Sequence, residues 1–341
     1  MRRARASGSR NNRSRGRLAG SLCAVAVLLA TGTARADTAT YDEVPGSAAS
    51  AAYWAQITAG LDLPDVQMRG TLQHGALSLV AANLGHVPLA VVRRADAFPA
   101  RSWLFAGRLT DLPGFTALRG LRPPGWPEGM TWDTVPGAGR GAPGGGMVMN
   151  PDAEGPRTGE SAFSLALHEY AHTLDVVLAT GEPWKVSATA AWTEGPYAEL
   201  RSAGASGWFA ANAAYLLGNA SEWWAEAADL YLATPATNGF LAGTYPQTWQ
   251  FLRDLLGEPR FLRATATAPA TGRRVRIAWR ATSGYVQRAR VGAGRWRADP
   301  GTRGVIATTT PRCGRRTLTV QLHDGSRMPP VALRTAVRVR C

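Results

Sequence analysis

His168-Glu169-Tyr170-Ala171-His172 sets two imidazoles four residues apart, with a carboxylate beside the first. On a helix, residues four apart lie one turn apart on the same face. Two imidazoles at that spacing can hold one zinc ion, and the glutamate points into the same site as a base for a metal-bound water. The chain has five histidines and eleven glutamates among its 341 residues. About two random chains in a thousand of that composition would carry the pattern by chance. Two nitrogens do not complete a zinc site, so a third ligand has to come from elsewhere in the sequence.

Ser221-Glu222-Trp223-Trp224-Ala225-Glu226 is the place to look. Glu222 and Glu226 are again four apart, which puts two carboxylates on one face among aromatic and alanine residues. Acids on such a face are costly unless paired or bound to a metal. In one reading Glu222 completes the ligand set and Glu226 accepts a hydrogen bond from a ligating imidazole. In the other, Glu222 occupies a helix amino end, where acids are favoured, and Glu226 is solvated. Glu194, Glu199 and Asp175 are weaker ligand candidates, because nothing around them repeats the pattern.

His-Glu-Tyr-Ala-His-Thr-Leu-Asp (168–175), then Tyr215 and Glu-Trp-Trp-Ala-Glu-Ala (222–227), resemble the catalytic domain of anthrax lethal factor and the secreted Pro-Pro endopeptidases. Those domains are zinc metalloproteases of the Glu-zincin type. In them a His-Glu-x-x-His helix and a glutamate on a later helix hold zinc. A tyrosine lies seven residues before that glutamate, the spacing of Tyr215 and Glu222 here. Leu118-Arg119-Gly120, Gly125-Trp126, Thr131-Trp132-Asp133 and Val135-Pro136-Gly137 resemble secreted bacterial members. The resemblance implies that His168, His172 and Glu222 are zinc ligands and that Glu169 is the general base. It further implies that Tyr215 stabilises the oxyanion, that Glu226 stands behind the ligands, and that the substrate is protein or peptide. The Trp223-Trp224 pair departs from the family, where Phe is more usual. Asp175 either buttresses the site or is an ordinary helix-face acid.

The fold expected is an α+β zincin-type metalloprotease domain followed by a small all-β, sandwich-like domain. Residues 77–84, 89–92 and 147–149 read as strands, and 147–150 as the edge with which an extended substrate would pair. The Gly- and Pro-rich stretch 123–146 reads as a long loop, in which Trp126 and Trp132 either line a cleft or cover a core edge. A helical pattern starts at Glu160 or Ser161 and runs through His172 to Gly181, burying Leu165, Leu174 and Val177. Further helices are expected over 222–233 and 247–256. The small, polar, Pro-bearing segment 263–272 reads as a linker. After it, Val275, Ile277 and Trp279, then Leu318, Val320 and Leu322, alternate with polar residues at the strand period. His74, His86 and His323 have no partner at ligand spacing and read as solvated or packed.

The expected boundaries are 1–36 for a secretory signal, 37–262 for the protease domain with its lethal-factor-like core at about 115–260, and 273–341 for the β domain. Residues 1–36 hold eight arginines and no acid around a short apolar run, then Ala34-Arg35-Ala36. That pattern is a cleavable export signal. No segment reaches the roughly 20 apolar residues that span a bilayer, so no transmembrane anchor is expected. Export to an oxidising compartment would join Cys313 and Cys341 as one disulfide. The net charge of +14 is unevenly distributed: 265–341 holds sixteen arginines against Asp299 and Asp324, which leaves 37–264 acidic. A basic β domain on a secreted protein suits an anionic cell-wall polymer. Export and the lack of a recognition helix argue against nucleic acid. The competing reading is a surface-binding protein in which this domain does the work and the zinc site is degenerate or structural.

Overall fold

The computed structural model describes residues 45–339, excepting 60, 99–100, 113, 124–127, 140–144, 155–163, 207–208, 211–212, 272–273, 285, 302, 310–312 and 325–329. The expectations for the export signal, Trp126, Glu160, Ser161 and Cys341 lie outside the described residues.

Two apolar runs expected as strands are helices. The chain opens with α1 (Ser47–Thr58) and β1 (Val66–Arg69), and then 77–84 lies in α2 (His74–Leu84) and 89–92 in α3 (Leu89–Asp96). Leu77, Val80, Ala81 and Leu84 are fully buried. Their spacing of three, one and three residues is that of a helix face, which the nearly continuous apolar run disguised.

A four-stranded sheet follows, ordered β1, β2 (Arg101–Phe105), β4 (Gly145–Met149) and β3 (Gly137–Gly139). The first three strands are parallel, and β3 runs antiparallel to β4. The strand expected over 147–149 is therefore present, but it is hydrogen-bonded on both sides. The edges are β1 and β3, and it is β3, beside α4, that lies inside the segment expected to be loop.

The helical layer holds α4 (Leu165–Val177), α5 (Ala190–Thr193), α6 (Pro196–Ala203), α7 (Ala213–Gly218), α8 (Ala220–Ala233), α9 (Pro235–Thr244) and α10 (Pro246–Leu256). Local sequence signals set most of their ends. Ser164 and Asn219 accept backbone N–H groups at the starts of α4 and α8. Pro235 and Pro246 open α9 and α10, and Gly257 closes α10 with a positive φ of 80°. Thus α4 starts at Leu165 and ends at Val177, short of Gly181. Trp192, Trp223, Trp224 and Tyr231 are fully buried between these helices.

Two antiparallel sheets make up the carboxyl-terminal unit. One is ordered β10 (Arg303–Thr309), β7 (Arg274–Ser283), β5 (Arg263–Thr267), with β6 (Ala270–Thr271) also paired to β7. The other is ordered β12 (Val331–Val339), β11 (Gly314–His323), β8 (Val286–Val291), β9 (Arg297–Gly301). Val275, Ile277 and Trp279 of the first sheet and Val320, Leu322 and Val337 of the second share one apolar cluster. The period-two reading holds here because alternate side chains enter that cluster. The segment 263–272 differs from the expected linker: its Thr and Ala residues form β5 and β6 on the flank of β7.

His86 joins the two units. Its Nδ1 donates to Leu232 O at 3.1 Å, and its Nε2 is 3.2 Å from Asp324 Oδ2, with both side chains buried.

Candidate metal centre and active site

Every residue of α4 is buried, so each polar group on it needs a partner within the protein. Several contacts come from α8, which runs antiparallel to it. Ser221 Oγ donates to Asp175 Oδ2 at 3.1 Å, and Trp224 Nε1 donates to Ala171 O at 2.7 Å. Glu222 faces both histidines, and Glu226 Oε1 is 4.0 Å from His168 Nδ1. At the far end the Asp229 carboxylate accepts Ser164 N–H at 3.0 Å. Positions 221, 222, 224, 226 and 229 thus meet 175, 172, 171, 168 and 164 in turn. Glu154 accepts from Ser164 Oγ at 2.7 Å and from Ala166 N at 2.9 Å. Two carboxylates therefore stand at the amino end of α4, where the helix dipole favours negative charge.

This register brings His168, His172 and Glu222 together, with one possible ligand atom from each lying within 4.8 Å of the others. Glu222 Oε2 is 3.4 Å from His168 Nε2 and 3.5 Å from His172 Nε2. Tetrahedral zinc with bonds of about 2.0–2.1 Å places its ligand atoms ~3.3 Å apart, so these separations fit the edges of such a site. The three side chains are at most 1% exposed. Burial pushes the Glu222 carboxyl up, but the two imidazoles beside it, His172 foremost, pull it down to about 2. An ionised carboxylate beside two imidazoles is a donor set suited to zinc.

Glu169 lies next to this cluster and is fully buried. Burial and the Glu222 carboxylate push its carboxyl well above the usual range, and the Gly139 backbone N–H pulls it partly back. The edge strand β3 supplies that N–H because it lies directly on α4. A Cβ at Gly137 would come within 2.8 Å of Glu169 Oε1, and one at Gly139 would collide with His172 Cβ. Only glycine allows the strand to approach this closely. Tyr215 stands half-buried on α7, close enough to Glu222 to feel its charge. Its hydroxyl is held far above its ordinary pKa by burial and by Glu222, so it stays a proton donor.

All six residues singled out from the sequence gather here: His168, Glu169, His172, Tyr215, Glu222 and Glu226. Asp175 sits one turn beyond His172 as a buried crosslink, where it also accepts from Ser187 N and Oγ. Neither Glu194 nor Glu199 belongs to the cluster; Glu199 accepts from Thr248 at the start of α10. Trp132 is buried in a second apolar cluster with Phe105 and Phe115. His74 is stacked on Tyr53, and His323 is packed edge-on against Trp296. The sequence reading missed Gly137, Gly139, Glu154 and Asp229. The Gly-Ala-Gly alternation of 137–139 was the available signal for a strand pressed against another element. Nothing local marked Glu154. Asp229, seven residues after Glu222, continues the same helix face.

The family model described as anthrax toxin lethal factor, N- and C-terminal domain, matches residues 63–255. A Pro-Pro endopeptidase of Clostridioides difficile (strain 630) is 33% identical over 153 residues, covering 45% of this chain and 63% of the relative. A Pro-Pro endopeptidase of Paenibacillus alvei is 26% identical over 196 residues, covering 57% of this chain and 84% of the relative. The chain thus spans less than two thirds of the first relative's length. A solved structure of the Paenibacillus alvei Pro-Pro endopeptidase is 23% identical with a TM-score of 0.47, covering 60% of this chain and 99% of that one. With more than half of its length matched by the family model, the chain belongs to the anthrax toxin lethal factor family.

Proposed function

We propose that this protein is an exported zinc-dependent endopeptidase, its protease unit of the zincin type and its β unit a sandwich. The observation that carries the reading is the buried His168–His172–Glu222 cluster, with Glu169 and an antiparallel edge strand directly beside it. Family membership and the names of the two relatives support it. Bonds between prolines are the first substrates to test, because both relatives are named for them.

In this proposal His168, His172 and Glu222 hold the metal. Zinc held there would supply Lewis acidity and the means to ionise water near neutral pH. Glu169 takes the proton of the attacking water and delivers it to the leaving amine. The Tyr215 hydroxyl donates to the carbonyl oxygen that gains charge, where one such donor contributes about 3 kcal/mol. Glu226 steadies the His168 ring. The β3 edge pairs with the extended peptide, a role expected at 147–150 and moved here to the strand with a free side. A Cys313–Cys341 disulfide would close the β unit; Cys313 immediately precedes β11, whose Gly314 pairs with Val339 of β12.

Zinc content and cleavage test the proposal together. The full chain should cleave a proteome-derived peptide library, stop with a chelator and recover with zinc. Glu169→Gln should keep one zinc per chain and lose cleavage. A Glu169→Gln protein as active as wild type would remove Glu169 from the mechanism, and cleavage indifferent to chelator would remove the metal.

A further inference from the structure

The outer face of the β10–β7–β5 sheet carries positive charge that nothing on the sheet balances. Val275, Ile277 and Trp279 turn inward, so Arg274, Arg276 and Arg280 of β7 point outward and are exposed. Arg303 of β10 stands directly opposite Arg280, and Thr265 of β5 flanks Arg280 on its other side. Like charges directly opposed across two strands are destabilising. β5, β7 and β10 contain no acidic residue. Among the described residues, none of these four arginines forms an ion pair. Replacing either partner with threonine would relieve the repulsion at no loss of strand propensity. The sequence nevertheless keeps both.

We propose that this face binds a flexible polymer of phosphodiester repeats. Arginine forks and threonine hydroxyls are the donor mixture that contacts phosphate backbones. Thr265 and Thr309 are exposed on the same face. The strand rise puts Arg274 and Arg276 ~7 Å apart and Arg276 and Arg280 ~13 Å apart, so the row engages successive charges of one chain. Base-bearing polymers need aromatic stacking platforms. The one aromatic residue of these three strands, Trp279, is 2% exposed and faces the core. The inference stands apart from the endopeptidase reading, since none of these residues touches the metal cluster.

The test is retention of the full chain on immobilised poly(glycerol phosphate) at several salt concentrations. Binding should weaken with salt, by about 0.7 logarithmic units per tenfold salt for each phosphate neutralised. Arg280→Thr with Arg303→Thr should lower affinity at least tenfold and flatten that dependence by about 1.4 units. The thermal midpoint and far-ultraviolet circular dichroism of this variant should match wild type, which certifies its fold, and its cleavage of a free peptide should be unchanged. Glu169→Gln should bind the polymer like wild type, so loss of hydrolysis and loss of binding are separable failures. Unchanged binding by the double variant would overturn the proposal. So would equal retention on uncharged dextran, or tighter binding to polyglutamate, single-stranded DNA or phosphatidylglycerol vesicles.

Discussion

Ser221 donates a hydrogen bond from Oγ to Asp175 Oδ2 at 3.1 Å, tying the residue before Glu222 to the helix that carries both histidines. Asp175 also takes Ser187 N–H at 2.7 Å and Ser187 Oγ–H at 2.6 Å. One buried carboxylate thus fixes the separation of α4 from the start of α8, on which the two imidazoles and Glu222 depend. Partners at this remove from a metal typically change affinity or activity by about 10–100-fold.

Asp175→Ala should therefore weaken zinc binding by about 10–100-fold and cost about 2–4 kcal/mol of stability. Competition against a fluorescent chelator and denaturant titration of the metal-free protein measure the two effects. Asp175→Asn, which keeps an acceptor, should recover part of the affinity. Lower stability with wild-type zinc affinity would make Asp175 a structural residue only.

Alanine at the two glycines of β3 should separate the metal from the base. Gly139→Ala drives a methyl into His172 and should abolish tight zinc binding. Gly137→Ala presses on Glu169 instead and should keep zinc while lowering kcat/KM about 100-fold, the scale of a displacement near 1 Å. Metal analysis beside peptide kinetics reads both. Zinc loss from the Gly137 variant would mean that the strand moves as a unit.

Trp224→Phe should cost about 2 kcal/mol. The change removes the indole bond to Ala171 O at 2.7 Å and leaves a small void among fully buried side chains. Phe is the commoner residue at this helix position in the family the sequence resembles, so the variant should still fold. A thermal midpoint equal to wild type would show that the bond adds nothing.

Low pH should weaken the β unit through His323. Burial lowers its pKa below the ordinary value of 6.5, against the pull of Asp324, while Arg288 lowers it further. The unfolded chain then binds a proton more readily than the folded one. This contribution is complete above pH 6.5 and is lost as pH falls through the lowered folded value. His323→Asn should show a shallower fall of thermal midpoint with acid than wild type. Parallel curves would assign the acid sensitivity to other groups.

Local chemistry made much of the site legible in advance. His168 and His172 share a face because of helix geometry, and Glu222 and Glu226 repeat that logic. Val275, Ile277 and Trp279 mark a strand by alternation, whereas Ser164 and Asn219, which cap the two helices, passed unread because the helical patterns start at Glu160 or Ser161 and at about Glu222. Leu77–Leu84 was misread because a segment buried on most sides loses the polar punctuation that reveals its period. The segment 263–272 was misread because threonine and alanine suit both a linker and the flank of a sheet.

The sequence by itself determined which side chains have the chemistry to hold a metal and move a proton, and which of them share a helix turn. The tertiary structure alone decided that Glu222 closes on His168 and His172 across 54 positions of chain, with Asp175, Trp224 and Asp229 setting the register of α8 on α4. It also decided that β3, and not β4, is the open edge beside Glu169. Periodicity is a property of neighbouring residues and can be read along the chain. Register and edges arise from packing between distant segments, and they exist only once buried polar groups have found their partners.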